Sequence, residues 1–70
     1  MQKLGRVVQI HEEKLVLKTD KLVKIGSRVY DDKERWVGTV IDYFGPTMGP
    51  YLLVSPKKEA ASLVGKELYH

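Results

Sequence analysis

The sequence contains no cysteine, which excludes a disulfide framework and a thiolate metal cluster and leaves the fold to rest on packing alone. Asparagine is absent too, and the histidines are only His11 and His70. Neither histidine has a second ligand or a catalytic partner at a useful spacing, so no metal and no other cofactor is expected. No glycine-rich turn opens a helix, so neither a P-loop nor a dinucleotide fingerprint is present and no small-molecule substrate is expected. The apolar runs are a few residues long, and the opening Met1-Gln-Lys-Leu-Gly-Arg6 has no signal-peptide stretch. The expectation is a soluble, cytoplasmic protein with no membrane partner.

What is there fits one small domain spanning residues 1–70. A chain of this length buries only about 60% of the surface that its unfolded form exposes, which leaves little room for an enclosed active site. The expectation is therefore a binding module and not an enzyme. Asp31 and Asp32 are adjacent acids, yet Lys33, Glu34 and Arg35 beside them read as an ordinary hairpin turn. A net charge of +3 and a pI near 9.3 are compatible with a nucleic-acid environment without marking a dedicated binder. The richness in lysine and glutamate matches the balance of proteins from hot environments.

The chain divides into short strands. Leu4–Ile10 and Lys14–Thr19, separated by the polar His11-Glu-Glu13, read as a hairpin with Leu15 and Leu17 facing the core. A loop ending at Gly26 leads to a third strand, Ser27–Tyr30, with Val29 on the face opposite Arg28 and Tyr30. Trp36–Phe44 is the clearest strand, stopped by Gly45-Pro46, and Gly38 within it suggests a bulge or bend. Tyr51–Ser55 is a fifth strand, ended by Pro56. Lys57–Val64 suits one helical turn capped by Gly65, and Lys66–Tyr69 can return as a closing strand. The class is all-β. Closure into a small six-stranded antiparallel barrel with at most one short helical turn disposes of the exposed edges.

One segment stands apart. In Asp42-Tyr-Phe-Gly-Pro-Thr-Met-Gly-Pro-Tyr51 two Gly-Pro pairs bracket Thr47 and Met48, and aromatics flank both sides. Each proline fixes its own φ and restricts its predecessor, so such a loop loses little entropy when a partner docks. Tyr43, Phe44 and Tyr51 can either plug the barrel ends or meet a partner. Met48 at the loop tip suits a protein contact. Asp42 either caps nearby backbone N–H groups or pairs with a basic group on a partner. Trp36, with Arg35 and Tyr30 as its neighbours, reads as packing over the barrel mouth in preference to a base-stacking platform.

Gly38-Thr-Val-Ile-Asp-Tyr-Phe-Gly-Pro46 followed by Pro50-Tyr51 resembles the hallmark segment of the Gar-one protein family of H/ACA ribonucleoproteins. Leu4-Gly-Arg-Val, Ile25-Gly-Ser-Arg-Val-Tyr-Asp31 and Leu63-Val-Gly-Lys-Glu-Leu-Tyr69 are similar to that family's barrel core. The resemblance implies a six-stranded barrel of the translation-factor/reductase type. It also implies a non-catalytic subunit that binds the catalytic subunit of the RNA-guided pseudouridine synthase and helps substrate RNA to load and leave during rRNA pseudouridylation and ribosome biogenesis. Asp42, Phe44, Gly45, Pro46, Pro50 and Tyr51 match the motif, and with Met48 they form the expected docking site, together with neighbouring apolar strand surface. Glycine-arginine-rich tails are absent, as in a compact archaeal form. A trimmed eukaryotic core would be nucleolar instead.

Without those tails, RNA contact within the guide ribonucleoprotein is expected to be mainly indirect, with Lys14, Lys18, Lys21 and Lys24 on solvated faces. An alternative comes from Lys24-Ile-Gly-Ser-Arg-Val and Val37-Gly-Thr-Val, which also resemble the nucleic-acid-binding barrels of ribosomal and translation proteins. That resemblance implies direct RNA binding.

Overall fold

The computed structural model describes residues 2–21, 23–45, 49–57 and 59–70. Strands β1 (Lys3–His11), β2 (Lys14–Lys18), β3 (Arg28–Tyr30), β4 (Trp36–Phe44), β5 (Tyr51–Pro56) and β6 (Glu67–Tyr69) close an antiparallel barrel in the order β1-β2-β5-β4-β3-β6. A single turn of 3-10 helix, Ala60–Leu63, interrupts the path from β5 to β6. The expected architecture is the one observed, and β4 has the bounds read from the sequence.

Alternation builds the core. Leu4, Val7, Leu15, Leu17, Val29, Val37, Val40, Leu52, Val54 and Leu68 point inward, and Leu63 of the 3-10 turn joins them. Each fully buried Val or Leu contributes about 1.5–3 kcal/mol relative to exposure. Leu15 and Leu17 are completely buried, and Val29 lies inside while Arg28 and Tyr30 lie outside, as their positions along the strands dictate.

Small barrels need local bends, and four register shifts supply them, between β1 and β2, β1 and β6, β3 and β4, and β4 and β5. The extra residues are Val8, Leu4, Val37 and Ile41. Gly38 sits beside the Val37 bulge where β4 and β5 come close: a Cβ there would lie 2.7 Å from Val54 Cγ1 and 2.8 Å from the Ser55 carbonyl oxygen. The glycine read from the sequence as a bend is thus a point of close backbone approach.

The β1–β2 turn is tight, with His11 opposite Lys14 and with Glu12 and Glu13 at φ 49° and 66°. Both turn residues adopt the left-handed region that Asn and Gly fill at less cost. Gly65 lies just past the helical turn at φ 82°, the left-handed position of a cap glycine, and its N–H donates to the Val7 carbonyl at 2.9 Å, tying the chain to β1 just before β6 begins. The seam between β3 and β6 is the thinnest, with Tyr30 opposite Tyr69 as its one paired position. Beside it a crevice of about 510 Å³ opens between the Asp31–Arg35 turn and β6.

Candidate functional site

The β4–β5 hairpin carries the segment singled out by the sequence. Pro46, Thr47 and Met48 lie outside the described residues, and the rest of the candidate site is held firmly. Asp42 Oδ1 accepts a hydrogen bond from the Tyr43 N–H at 2.8 Å, so the carboxylate caps backbone. Pro50 is buried, and its carbonyl accepts from the Thr19 N–H at 3.2 Å. The Thr19 hydroxyl in turn donates to the Leu4 carbonyl at 2.6 Å, which fastens the hairpin's return to β1 and β2.

The aromatics divide by strand register. Tyr43 pairs with the inward Leu52 and packs against the core, whereas Phe44 pairs with Tyr51 on the outer wall. Phe44 is 47% exposed. Its ring stacks on that of Tyr51, with centroids 5.5 Å apart and planes 19° apart. Gly45 closes the stack. Its φ is +94°, a conformation that favours glycine, and a Cβ there would press on the Tyr51 ring at 3.1 Å from Cδ2.

This pair continues into an apolar wall that the sequence reading did not resolve. Val16 of β2 lies opposite Leu53 of β5, and both face outward. Val16 is only 3% exposed although it stands outside the core cluster. At either end the bulges place Val8 and Ile41, both exposed, where regular alternation offers one outward residue fewer. Phe44, Tyr51, Leu53, Ile41 and Val8, with the nearly buried Val16, thus put aromatic and aliphatic side chains on the outer face of β4, β5, β2 and β1, interspersed with Asp42 opposite Leu53, Gln9 opposite Val16 and Lys18 opposite Tyr51. A signal existed in Val7-Val8 and Val40-Ile41, adjacent apolar pairs that break a period of two.

The remaining polar groups are structural. Asp31 is nearly buried and gathers its own turn: Oδ1 accepts from the Lys33 and Arg35 N–H groups, each at 2.9 Å, and Oδ2 meets Arg35 Nε at 2.8 Å. Burial opposes its ionisation, but the Arg35 and Lys33 hydrogen bonds and the Arg35 charge outweigh it and hold the carboxyl below the ordinary aspartate range. The segment read from the sequence as an ordinary hairpin turn is thus organised around a buried acid. Arg35 is engaged there and does not complement Trp36.

Trp36 itself lies on the outer wall at 36% exposure and not over the barrel mouth. Its Nε1 donates to the Gly38 carbonyl at 2.8 Å, while Arg28 Cζ and Lys57 Nζ lie 4.1 and 3.7 Å from the ring centroid. His11 is exposed at the end of β1 beside Glu12, and no cluster of three or more potential metal ligands occurs among the described residues.

No family profile matches the chain. It is similar to an uncharacterized protein of Methanothermobacter thermautotrophicus, with 27% identity over 75 residues covering 99% of this chain and 82% of that protein.

Proposed function

We propose that this barrel is a non-catalytic accessory subunit of an H/ACA ribonucleoprotein that docks on the catalytic subunit of an RNA-guided pseudouridine synthase. The observation that carries the reading is the exposed Phe44–Tyr51 stack, set in the hallmark hairpin and continuous with Leu53, Val16, Ile41 and Val8. A surface of this kind offers a partner a rigid aromatic anchor and an apolar surround, the composition of an interface core. The anchored Pro50 and the cap at Asp42 preorganise it, so little ordering entropy is lost on docking.

Such a subunit acts without touching the target base. By binding one arrangement of a substrate-contacting loop on the synthase more tightly than another, it shifts that loop's population and speeds loading and release of RNA. The test is co-purification with the catalytic subunit from a co-expression strain. Phe44→Asp with Leu53→Asp places two charges on the wall without touching the core, and a folded double mutant is expected to be recovered alone. Full recovery of the complex with that variant refutes the docking surface.

A further inference from the structure

The return of the β4–β5 hairpin hangs on Thr19. Pairing of β2 with β5 runs Leu17 opposite Leu52 and Lys18 opposite Tyr51, and one step further it brings Thr19 to Pro50. A proline has no N–H to give back. Where two other residues could exchange two bonds, this position keeps a single one, from the Thr19 N–H to the Pro50 carbonyl at 3.2 Å. The next residue, Tyr51, carries the ring that stacks on Phe44. The place of the stack on the wall therefore depends on where Thr19 is held.

Thr19 is held by its own side chain. It lies just past the end of β2 and is 5% exposed, a buried polar residue. Its hydroxyl donates to the Leu4 carbonyl at 2.6 Å and accepts from the Lys21 N–H at 3.0 Å. Leu4 is a bulged residue of β1 with no paired position in the ladders to β2 or β6, so the hydroxyl stands where a strand neighbour is missing. Gly5 permits the approach, because a Cβ there would run into the Lys18 carbonyl. One residue thus ties β1 and the exit of β2 by its hydroxyl and the docking hairpin by its N–H.

We infer that Thr19 is a positioning residue for the docking surface: its hydroxyl fixes the N–H that holds Pro50, and so sets the Phe44–Tyr51 stack before a partner arrives. The inference rests on the docking role proposed above and deepens it, since it puts control of that surface in a buried hydroxyl that a partner does not reach. A stack set in advance loses less ordering entropy on binding.

The test compares Thr19→Val, which keeps the shape and leaves the Leu4 carbonyl and the Lys21 N–H without the hydroxyl, with Thr19→Ser, which keeps the hydroxyl. In amide spectra of the free chain, Thr19→Val is expected to move the signals of Phe44 and Tyr51 while those of Val29 and Leu68 across the barrel stay in place. In titration calorimetry with the synthase catalytic subunit, its dissociation constant is expected to rise about threefold, as when about a third of the free molecules keep the hairpin in position. Thr19→Ser is expected to restore both. A Thr19→Val chain that loses thermal stability alone, with the stack signals and affinity of the wild type, overturns the inference. So does one that fails to fold, because the hydroxyl then holds the barrel and not the hairpin, and so does a Thr19→Ser chain as impaired as Thr19→Val. The two readings fail separately. If Thr19→Val binds like the wild type while Phe44→Asp with Leu53→Asp does not bind, only the role of Thr19 falls; binding by both refutes the docking surface itself.

Discussion

The two outer walls of the barrel are built from the same kind of strand and share β4, yet they oppose each other in chemistry. The wall over β1, β2, β5 and β4 is the more apolar, with Leu53 and Val16 at its centre, bulge residues at its flanks and Phe44 stacked at its rim, among the polar Gln9, Lys18 and Asp42. The wall over β4, β3 and β6 is aromatic and cationic, with Arg28 and Lys57 converging on Trp36. Where only one shell of side chains can be buried, the outward positions of the alternation remain exposed, and in this chain they form two surfaces of different chemistry. The lesson is that a barrel too small to enclose a site can still present two distinct faces back to back.

The first way to break the comparison is to ask whether the apolar wall is merely more core. Leu52 and Leu53 are neighbours on β5, the one fully buried inside and the other half-buried outside. Leu52→Ala is expected to cost about 2–5 kcal/mol in chemical denaturation. Leu53→Ala should cost about 1 kcal/mol, in proportion to the smaller area it covers. Equal losses would make the outer wall part of the hydrophobic core and remove the case for docking.

Gly38→Ala presses on the strand shared by both walls. The added methyl meets Val54 and the Ser55 carbonyl, and a loss of about 1–3 kcal/mol is expected in thermal or urea unfolding. Because the adjacent bulge turns Trp36 outward, the same variant is expected to perturb tryptophan emission. A silent Gly38→Ala would mean that β4 and β5 are not held at this separation.

The hairpin beneath the apolar wall is open to improvement. Glu12 and Glu13 sit at positive φ, so Glu12→Asn with Glu13→Gly is expected to raise stability by about 1 kcal/mol. Synthase binding should be unchanged, which sharpens the distinction between wall and scaffold.

Asp31 supports the cationic wall from beneath its turn. Its folded-state carboxyl lies below the unfolded value, so its stabilising contribution is complete above the unfolded aspartate range and fades as pH falls through the folded value. Asp31→Asn is expected to flatten that acid limb of the stability profile and leave the neutral-to-alkaline limb with its original shape. An unchanged acid limb would contradict the role given to the Arg35 and Lys33 hydrogen bonds.

How far these features were legible differs between scaffold and surface. The strands, the inward Leu15 and Leu17, and the bulge beside Gly38 follow from period, residue type and turn chemistry, all local in the chain, whereas the close approach of Gly38 to β5 does not. The row of Tyr69, Tyr30 and Trp36, paired across β6, β3 and β4, does not either, because it joins three strands through register, and register is set by closure of the whole barrel. Trp36 was misread for the same reason. Its adjacent Arg35 looked like a partner, but Asp31 takes that guanidinium, and the cations that reach the ring come from Arg28 and Lys57 across strands. Phe44 and Tyr51 were recognisable as important, while their orientation required the pairing of β4 with β5 to be known.

The central claim, that the apolar wall is the docking surface, is tested most directly by following the backbone amides of the labelled barrel by NMR as the synthase catalytic subunit is added. The account predicts that the signals of Val16, Phe44, Tyr51 and Leu53 shift or broaden while those of Arg28, Tyr30 and Tyr69 stay in place. Changes confined to β3 and β6, or a spectrum that the catalytic subunit leaves untouched, would contradict it.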